Sequence, residues 1–407
     1  MPTALRNRAF TALLLGTFAS NLGGWMHNFA SRWLIYDLTG DALWLGLDAL
    51  LSGMTTALLL PWGGVLADRM SRRTLLIVGN AVSAFNVALL AVLAATGRLE
   101  VWQILIVTFI NGVVNAALVP ANQALLPGVV GKAALSNAIA LNSLQFNIAR
   151  VGGPLIAWAA YTLGAAWCFG LNAVCFLVLL GVLWCVRVPP LKTRHEKPWA
   201  ALVAGVRHVG GRRDLTAILA LVVMTAFFSA PAISMLPALV KGEFGLDEAA
   251  FSIVQAAFGV GAVIGALALA LRSKGDAHPW RVTGLLAAMG ACEIVLLWSR
   301  WYILATAMVL IIGVTLIGTM IRLGAANQHA IGDEIRGRVM SLQSLAFRGG
   351  QAGGSFVAGA LAGAIGLRET FGLYGALLIV GVVIVGVLVV TGRVRYRKVE
   401  DEQTAAR

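Results

Sequence analysis

Charge is what this chain has least of: Asp, Glu, Lys and Arg make up 12% of its 407 residues, and only 18 residues are acidic. With a mean hydropathy of +0.84, this is not the surface of a water-soluble domain. Cysteine is scarcer still. Cys168, Cys175, Cys185 and Cys292 show neither metal-ligand nor redox spacing. Cys168 and Cys175 fall about 10 Å apart along one helix, too far for a disulfide, so all four read as small apolar fillers. There is no Gly-x-x-x-x-Gly-Lys-Ser/Thr phosphate loop, no His-Glu-x-x-His and no Gly-x-Ser-x-Gly, and the five histidines are scattered. These gaps leave an enzyme without support and give no reason to expect a cofactor or a metal.

What the chain has in abundance is long apolar runs. At 59% hydrophobic, about 240 residues are available, enough for roughly twelve spans of about twenty residues. The runs divide at 10–36, 42–66, 74–96, 101–126, 134–161, 165–186, 214–240, 248–271, 279–298, 301–327, 337–363 and 370–391. Continuous runs predict an all-α membrane protein of twelve transmembrane helices, since a barrel would show ten-residue alternation. The first run carries Asn21, Asn28 and Arg32 and has no small-residue cleavage site, so it reads as a span and not a removable signal.

The net charge of +13 could suggest a nucleic-acid partner, but its placement says otherwise. Loops on the side of the N-terminus hold 23 of the 31 Lys and Arg, including Arg6, Arg8 and the cluster from Arg187 to Arg213. The opposite loops hold Arg98, Lys241, Arg300 and Arg368. That is the positive-inside bias, which puts both termini in the cytoplasm and excludes nucleic acid as the reason for the charge.

The sequence also repeats itself at half its length. Ala121-Asn122-Gln123 is matched by Ala326-Asn327-Gln328, Leu135-Ser136 by Met340-Ser341, and Gly152-Gly153 by Gly353-Gly354. The expected organisation is a six-helix half at 1–186, a cytoplasmic linker at 187–213, a second half at 214–392 and a basic tail at 393–407. Pro189, Pro190 and Pro198 punctuate the linker, and Trp199 to Arg213 reads as a short amphipathic helix on the membrane surface.

Between the second and third runs stands Gly64-Val-Leu-Ala-Asp68-Arg69-Met-Ser71-Arg72-Arg73. This loop resembles the motif between helices 2 and 3 of the major facilitator superfamily, with Ser71 where usual members have Gly. The resemblance implies two parallel-related six-helix halves and alternating access. It gives Gly64, Asp68, Arg69, Arg72 and Arg73 a gating role, Asp68 docking on the start of span 11 near Gly337. Further segments resemble the enterobactin-exporter and macrolide-efflux branch: Pro120 to Pro127, Ser136-Asn137-Ala138, Leu141-Asn142-Ser143, Ala149 to Pro154, Gly205 to Val209 and Gly337 to Leu342. That branch implies export of siderophores or amphiphilic drugs across a bacterial inner membrane, driven by protons. Span 4 departs from drug antiporters in having no arginine, and Gly153-Pro154 leads to Ala157-Trp158 where they carry paired glycines.

Polar residues inside membrane spans usually face an interior cavity. At about 100° per residue, Thr17, Asn21, Asn28 and Arg32 share one face of span 1, and Thr108, Asn111, Asn115 and Asn122 one face of span 4. Span 10 aligns Thr315, Thr319 and Arg322, and span 11 aligns Ser344, Arg348, Gln351 and Ser355. Span 5 gathers Asn142, Ser143, Asn147 and Arg150. The family resemblance implies a cavity lined by spans 1, 4, 7 and 10, to which the flanking spans 5 and 11 add charge, so Asn21, Asn28, Arg32, Asn111, Asn115, Arg150, Thr319, Arg322 and Arg348 are the expected substrate-binding residues. Helix–helix hydrogen bonding explains the same asparagines equally well, and Arg322 and Arg348 also suit a gate brace. Asp48 is the expected proton carrier, its contact with Arg32 or Arg150 forming and breaking in each cycle; a permanent ion pair is the plainer alternative. Glu293 falls on a peripheral span, and His27 lies roughly 120° off the span 1 stripe, where packing is its expected role.

The expected partners are a small-molecule substrate, protons and membrane lipids, with the chain acting as a monomer. A siderophore is the first substrate and a macrolide-type drug the second. A small-solute importer shares every fold-level feature. A non-transporting membrane sensor needs an output domain, for which neither linker nor tail is long enough.

Overall fold

A computed structural model describes residues 3–186, 198–271, 279–331 and 333–390. Among these residues every regular element is helical: α1 (Arg8–Thr39), α2 (Ala42–Arg69), α3 (Arg72–Ala95), α4 (Val101–Tyr161), α5 (Ala165–Cys185), α6 (Pro198–Gly210), α7 (Arg213–Phe228), α8 (Pro231–Ser234), α9 (Glu248–Leu271), α10 (Pro279–Trp298), α11 (Tyr302–Ala330), α12 (Asp333–Ile365) and α13 (Leu367–Val390). The expected basic tail at 393–407 and linker residues 187–197 lie outside the described residues. The rest of the linker forms α6.

Twelve spans map onto these helices. α4 supplies the fourth and fifth, because Gly131 interrupts it with φ +71° and ψ 170°, a left-handed backbone that glycine adopts without a Cβ penalty. Span 7 corrects the sequence expectation of one helix over 214–240. α7 stops at Phe228, α8 restarts at Pro231, and a π-helical turn (Ala238–Glu243) follows Pro237. Proline removes a backbone donor and clashes with the preceding turn, so two prolines six residues apart break the helix. Eight spans are long and apolar enough to cross a membrane by composition alone. The other four are α1, the 132–161 arm of α4, the broken seventh span and α12. Of these, α1, the 132–161 arm and α12 carry polar stripes, which lower their mean hydropathy. They are spans 1, 5, 7 and 11, two repeat-related pairs.

The chain forms two compact units, residues 1–40, 54–198 and 246–256 in one and 41–53, 199–245 and 257–407 in the other. Within the first, α1 packs on α4 and α5, and α3 on α4 and α5. Within the second, α7 packs on α12 and α13, and α10 on α11 and α13. The same neighbours recur in the same order, which is the parallel repeat seen in the sequence. Its matched glycines sit at matched contacts. A Cβ on Gly153 would overlap Trp25 of α1, and one on Gly354 would overlap the backbone of Phe227 in α7.

Candidate functional site

The first unit holds an open cavity of about 540 Å³ between α1 and the two arms of α4. The turn at Gly131 folds the second arm back, so that Asn122 from one arm and Asn142, Ser143, Gln145 and Asn147 from the other line the same space. Thr17 and Asn21, one helical turn apart on α1, complete the polar wall. Phe10, Leu13, Leu125, Ile139 and Phe146 are among its apolar residues. Among the described residues no charged side chain lines it. Its chemistry is therefore amide and hydroxyl groups set in hydrocarbon, suited to a ligand with both polar and apolar surface.

A short network fixes these amides. Asn21 Nδ2 donates to Gln145 Oε1 at 3.2 Å, and Gln145 Nε2 donates to Asn142 Oδ1 at 3.1 Å. The first of these crosses between helices, and such bonds contribute about 0.6–2 kcal/mol each in a bundle. Gln145 was missed at the sequence level. Its signal was the i, i+3 spacing from Asn142, which places both on one face of the helix.

Of the expected substrate-binding residues, Asn21 lines this cavity. Asn28 turns back on its own helix, Nδ2 donating to Gly24 O at 3.0 Å. Asn115 is exposed, Asn111 half-buried with Oδ1 unbonded, and Arg32 half-buried. Arg150 sits one turn from the cavity. Its guanidinium lies 5.4 Å from the Trp25 ring and 5.6 Å from that of Phe146, itself a lining residue. Such cation–π contacts contribute about 0.5–2 kcal/mol. Thr319, Arg322 and Arg348 belong to the second unit, as does Asp48, which is buried there; Arg32 and Arg150 belong to the first. His27 packs edge-on to Phe169 with ring centroids 5.5 Å apart.

The charged loop is organised by its own ends. Gly64, Asp68 and Arg69 occupy the last turns of α2, the side chains of Asp68 and Arg69 lying outside what is described. Ser71 is the N-cap of α3, in extended backbone at φ −61°, and accepts a hydrogen bond from Thr74 N at 3.1 Å. A residue with negative φ needs no glycine, and serine adds a cap that glycine lacks. Arg72 opens α3. Arg73 reaches the far end of α5, donating from Nε to Leu183 O at 3.0 Å and from Nη2 to Trp184 O. A cation on the last carbonyls of a helix is favourable for both hydrogen bonding and the helix dipole.

The second unit treats the repeated asparagine differently. Asn327, matched to Asn122, is buried and donates from Nδ2 to Gln343 Oε1 at 2.7 Å.

Comparison with known proteins bears on the family and the fold. A model of the family described as transmembrane secretion effector, within the major facilitator superfamily, matches residues 2–407. The chain is 24% identical to the staphyloferrin A transporter of Staphylococcus aureus over 88% of this chain and 91% of that protein. It is 25% identical to macrolide efflux protein A of Streptococcus pyogenes, covering 84% and 86%. It is 28% identical to the enterobactin exporter EntS of Shigella dysenteriae, covering 64% and 62%. The fold superimposes on a point mutant of the nucleoside transporter NupG with a TM-score of 0.75 at 11% identity, over 93% of this chain and 99% of that one.

Proposed function

The chain belongs to the transmembrane secretion effector family of major facilitator transporters, and from that premise we propose that it exports a siderophore across the bacterial inner membrane by proton antiport. It is a multi-pass efflux transporter of a small molecule, not an enzyme. The observation that carries the substrate reading is the amide-lined, partly apolar cavity of the first unit. Asn21 and its hydrogen-bonded partner Gln145 hold the polar part of the substrate there. Asn28, Arg32, Asn111, Asn115 and Arg150 of the first unit, and Thr319, Arg322 and Arg348 of the second, contact it along the transport path. Asp48 carries the proton, and Gly64, Asp68, Arg69, Arg72 and Arg73 gate the cytoplasmic side, with both termini in the cytoplasm. Relatives named for siderophores and for macrolides support a compound of that size and amphiphilic character.

The test measures siderophore inside and outside iron-starved cells with and without the gene, by mass spectrometry. Build-up inside the deleted strain supports siderophore export, and unchanged partitioning overturns it. A second reading, export of a macrolide-type drug, is favoured by the absence of charge from the described cavity lining. It predicts increased macrolide susceptibility in the same deleted strain. In proteoliposomes, substrate-driven proton flux should vanish in Asp48→Asn; unchanged flux removes Asp48 from the mechanism.

A further inference from the structure

We propose that Glu293 is a second proton-binding site, distinct from Asp48, whose ionisation opens the seam between α10 and α13. Glu293 lies within α10, is 0% exposed, and neither carboxyl oxygen has a hydrogen-bond partner among the described residues. The seam around it is closed by backbone approach: a Cβ on Gly290 would stand 2.9 Å from Gly375 O. Beside Gly375 is Tyr374, fully enclosed, whose hydroxyl donates to Gly354 O of α12 at 2.7 Å. Its ring stacks on Phe227 at 5.6 Å and meets Phe228 edge-on at 5.6 Å. Those are the last two residues of α7 before its break. Cys292, next to Glu293 on α10, and Tyr374 on the packed α13 are titratable groups of this seam. From α11 and α12, no charged group among the described residues acts on it.

Desolvation decides its state. An unpaired carboxylate held in such an enclosure loses hydration that nothing replaces, whereas a neutral carboxyl without partners loses far less. Glu293 therefore carries its proton while the seam is closed and releases it only when water or a cation enters. Releasing it shifts Tyr374, and through Tyr374 the end of α7 and its contact with α12. Rising pH drives the seam open, and falling pH closes it.

The test needs no transport substrate. Full-length protein in lipid nanodiscs is compared with Glu293→Gln by infrared spectroscopy and by amide hydrogen exchange across 286–297 and 370–378. The wild type is expected to show a protonated-carboxyl band that Glu293→Gln lacks. Above the pH at which that band fades, exchange in both segments should rise about tenfold per pH unit relative to Glu293→Gln, as one released proton requires. An identical band in both proteins overturns the assignment, as does exchange that tracks the variant at every pH. Glu293→Asp, which keeps the acid, should restore both signals; if Glu293→Gln fails to fold, Glu293→Asp alone decides, since a proton site must shift its band and its opening pH together. These readouts stand whether or not siderophore export is found.

Discussion

The two halves share helix order and packing but handle their repeated asparagine in opposite ways. In the first, Asn122 faces an open cavity, and the position matched to Gln343, offset like Ser136 and Ser341, is Ala138, which is fully buried. In the second, Asn327 and Gln343 close on each other inside the bundle. One half thus leaves this asparagine exposed at a cavity while the other uses it in packing. Repetition of a fold does not repeat a site: the first half has alanine where the second has the glutamine that Asn327 meets.

The largest break in this comparison comes from the contact the halves have in common. Gly354→Val should abolish folded protein, because a side chain there meets the Phe227 backbone, which cannot yield as a flexible side-chain end would. Overpacking usually costs about 1–3 kcal/mol and more against backbone. Gly153→Val should behave alike at Trp25. Monodisperse yield by size-exclusion chromatography checks both, and normal yield of either variant would separate the repeats.

Next in size is the asparagine pair itself. Asn327→Ala leaves Gln343 buried without its partner and should cost about 1–3 kcal/mol, read as a lowered Tm. The double variant Asn327→Leu with Gln343→Leu should recover much of that loss, because no polar group is then stranded. Asn122→Ala, by contrast, should change stability by no more than about 0.5 kcal/mol, since its side chain is exposed. A Tm loss at Asn122 equal to that at Asn327 would show that the first half packs its amide as the second does. Gln145→Ala should act mainly on transport, raising KM about fivefold for loss of roughly 1 kcal/mol of binding.

These particulars show what the sequence made legible. Apolar run lengths located eleven of the twelve spans closely, because hydrophobic burial in lipid depends on composition over a whole helix. The seventh span was not legible as a broken element from its run length, since Pro231 and Pro237 interrupt hydrogen bonding while the residues around them stay apolar. Thr17 and Asn21 of the span 1 stripe, Asn122 of span 4 and Asn142, Ser143 and Asn147 of span 5 line one cavity, while Asn28, Arg32 and Arg150 of the same stripes do not line it. Which stripe residues turn inward to their own helix, as Asn28 does, depends on local rotamer and neighbour geometry that spacing does not carry. Gln145 escaped notice for the converse reason: its role is set by Asn21 on another helix, 124 residues away.

Small effects fall on the charged loop, whose Gly-x-x-x-Asp-Arg-x-x-Arg-Arg spacing is not repeated at the matching loop of the second half. Arg73→Ala removes the donors that finish α5 at Leu183 and Trp184, and should lower stability by about 1 kcal/mol. Ser71→Gly, which restores the residue usual for the superfamily, tests whether the loop demands a left-handed turn. Ser71 sits at φ −61° and ψ 129°, a conformation open to any residue, and its side chain accepts from Thr74 N. Glycine at an N-cap costs only a few tenths of a kcal/mol relative to serine, because water reaches the freed amide. The variant should therefore unfold within about a degree or two of the wild type and export at the wild-type rate. A clear gain in Tm would mean that the backbone prefers a positive φ at this position, and that serine is strained where it now acts as a cap.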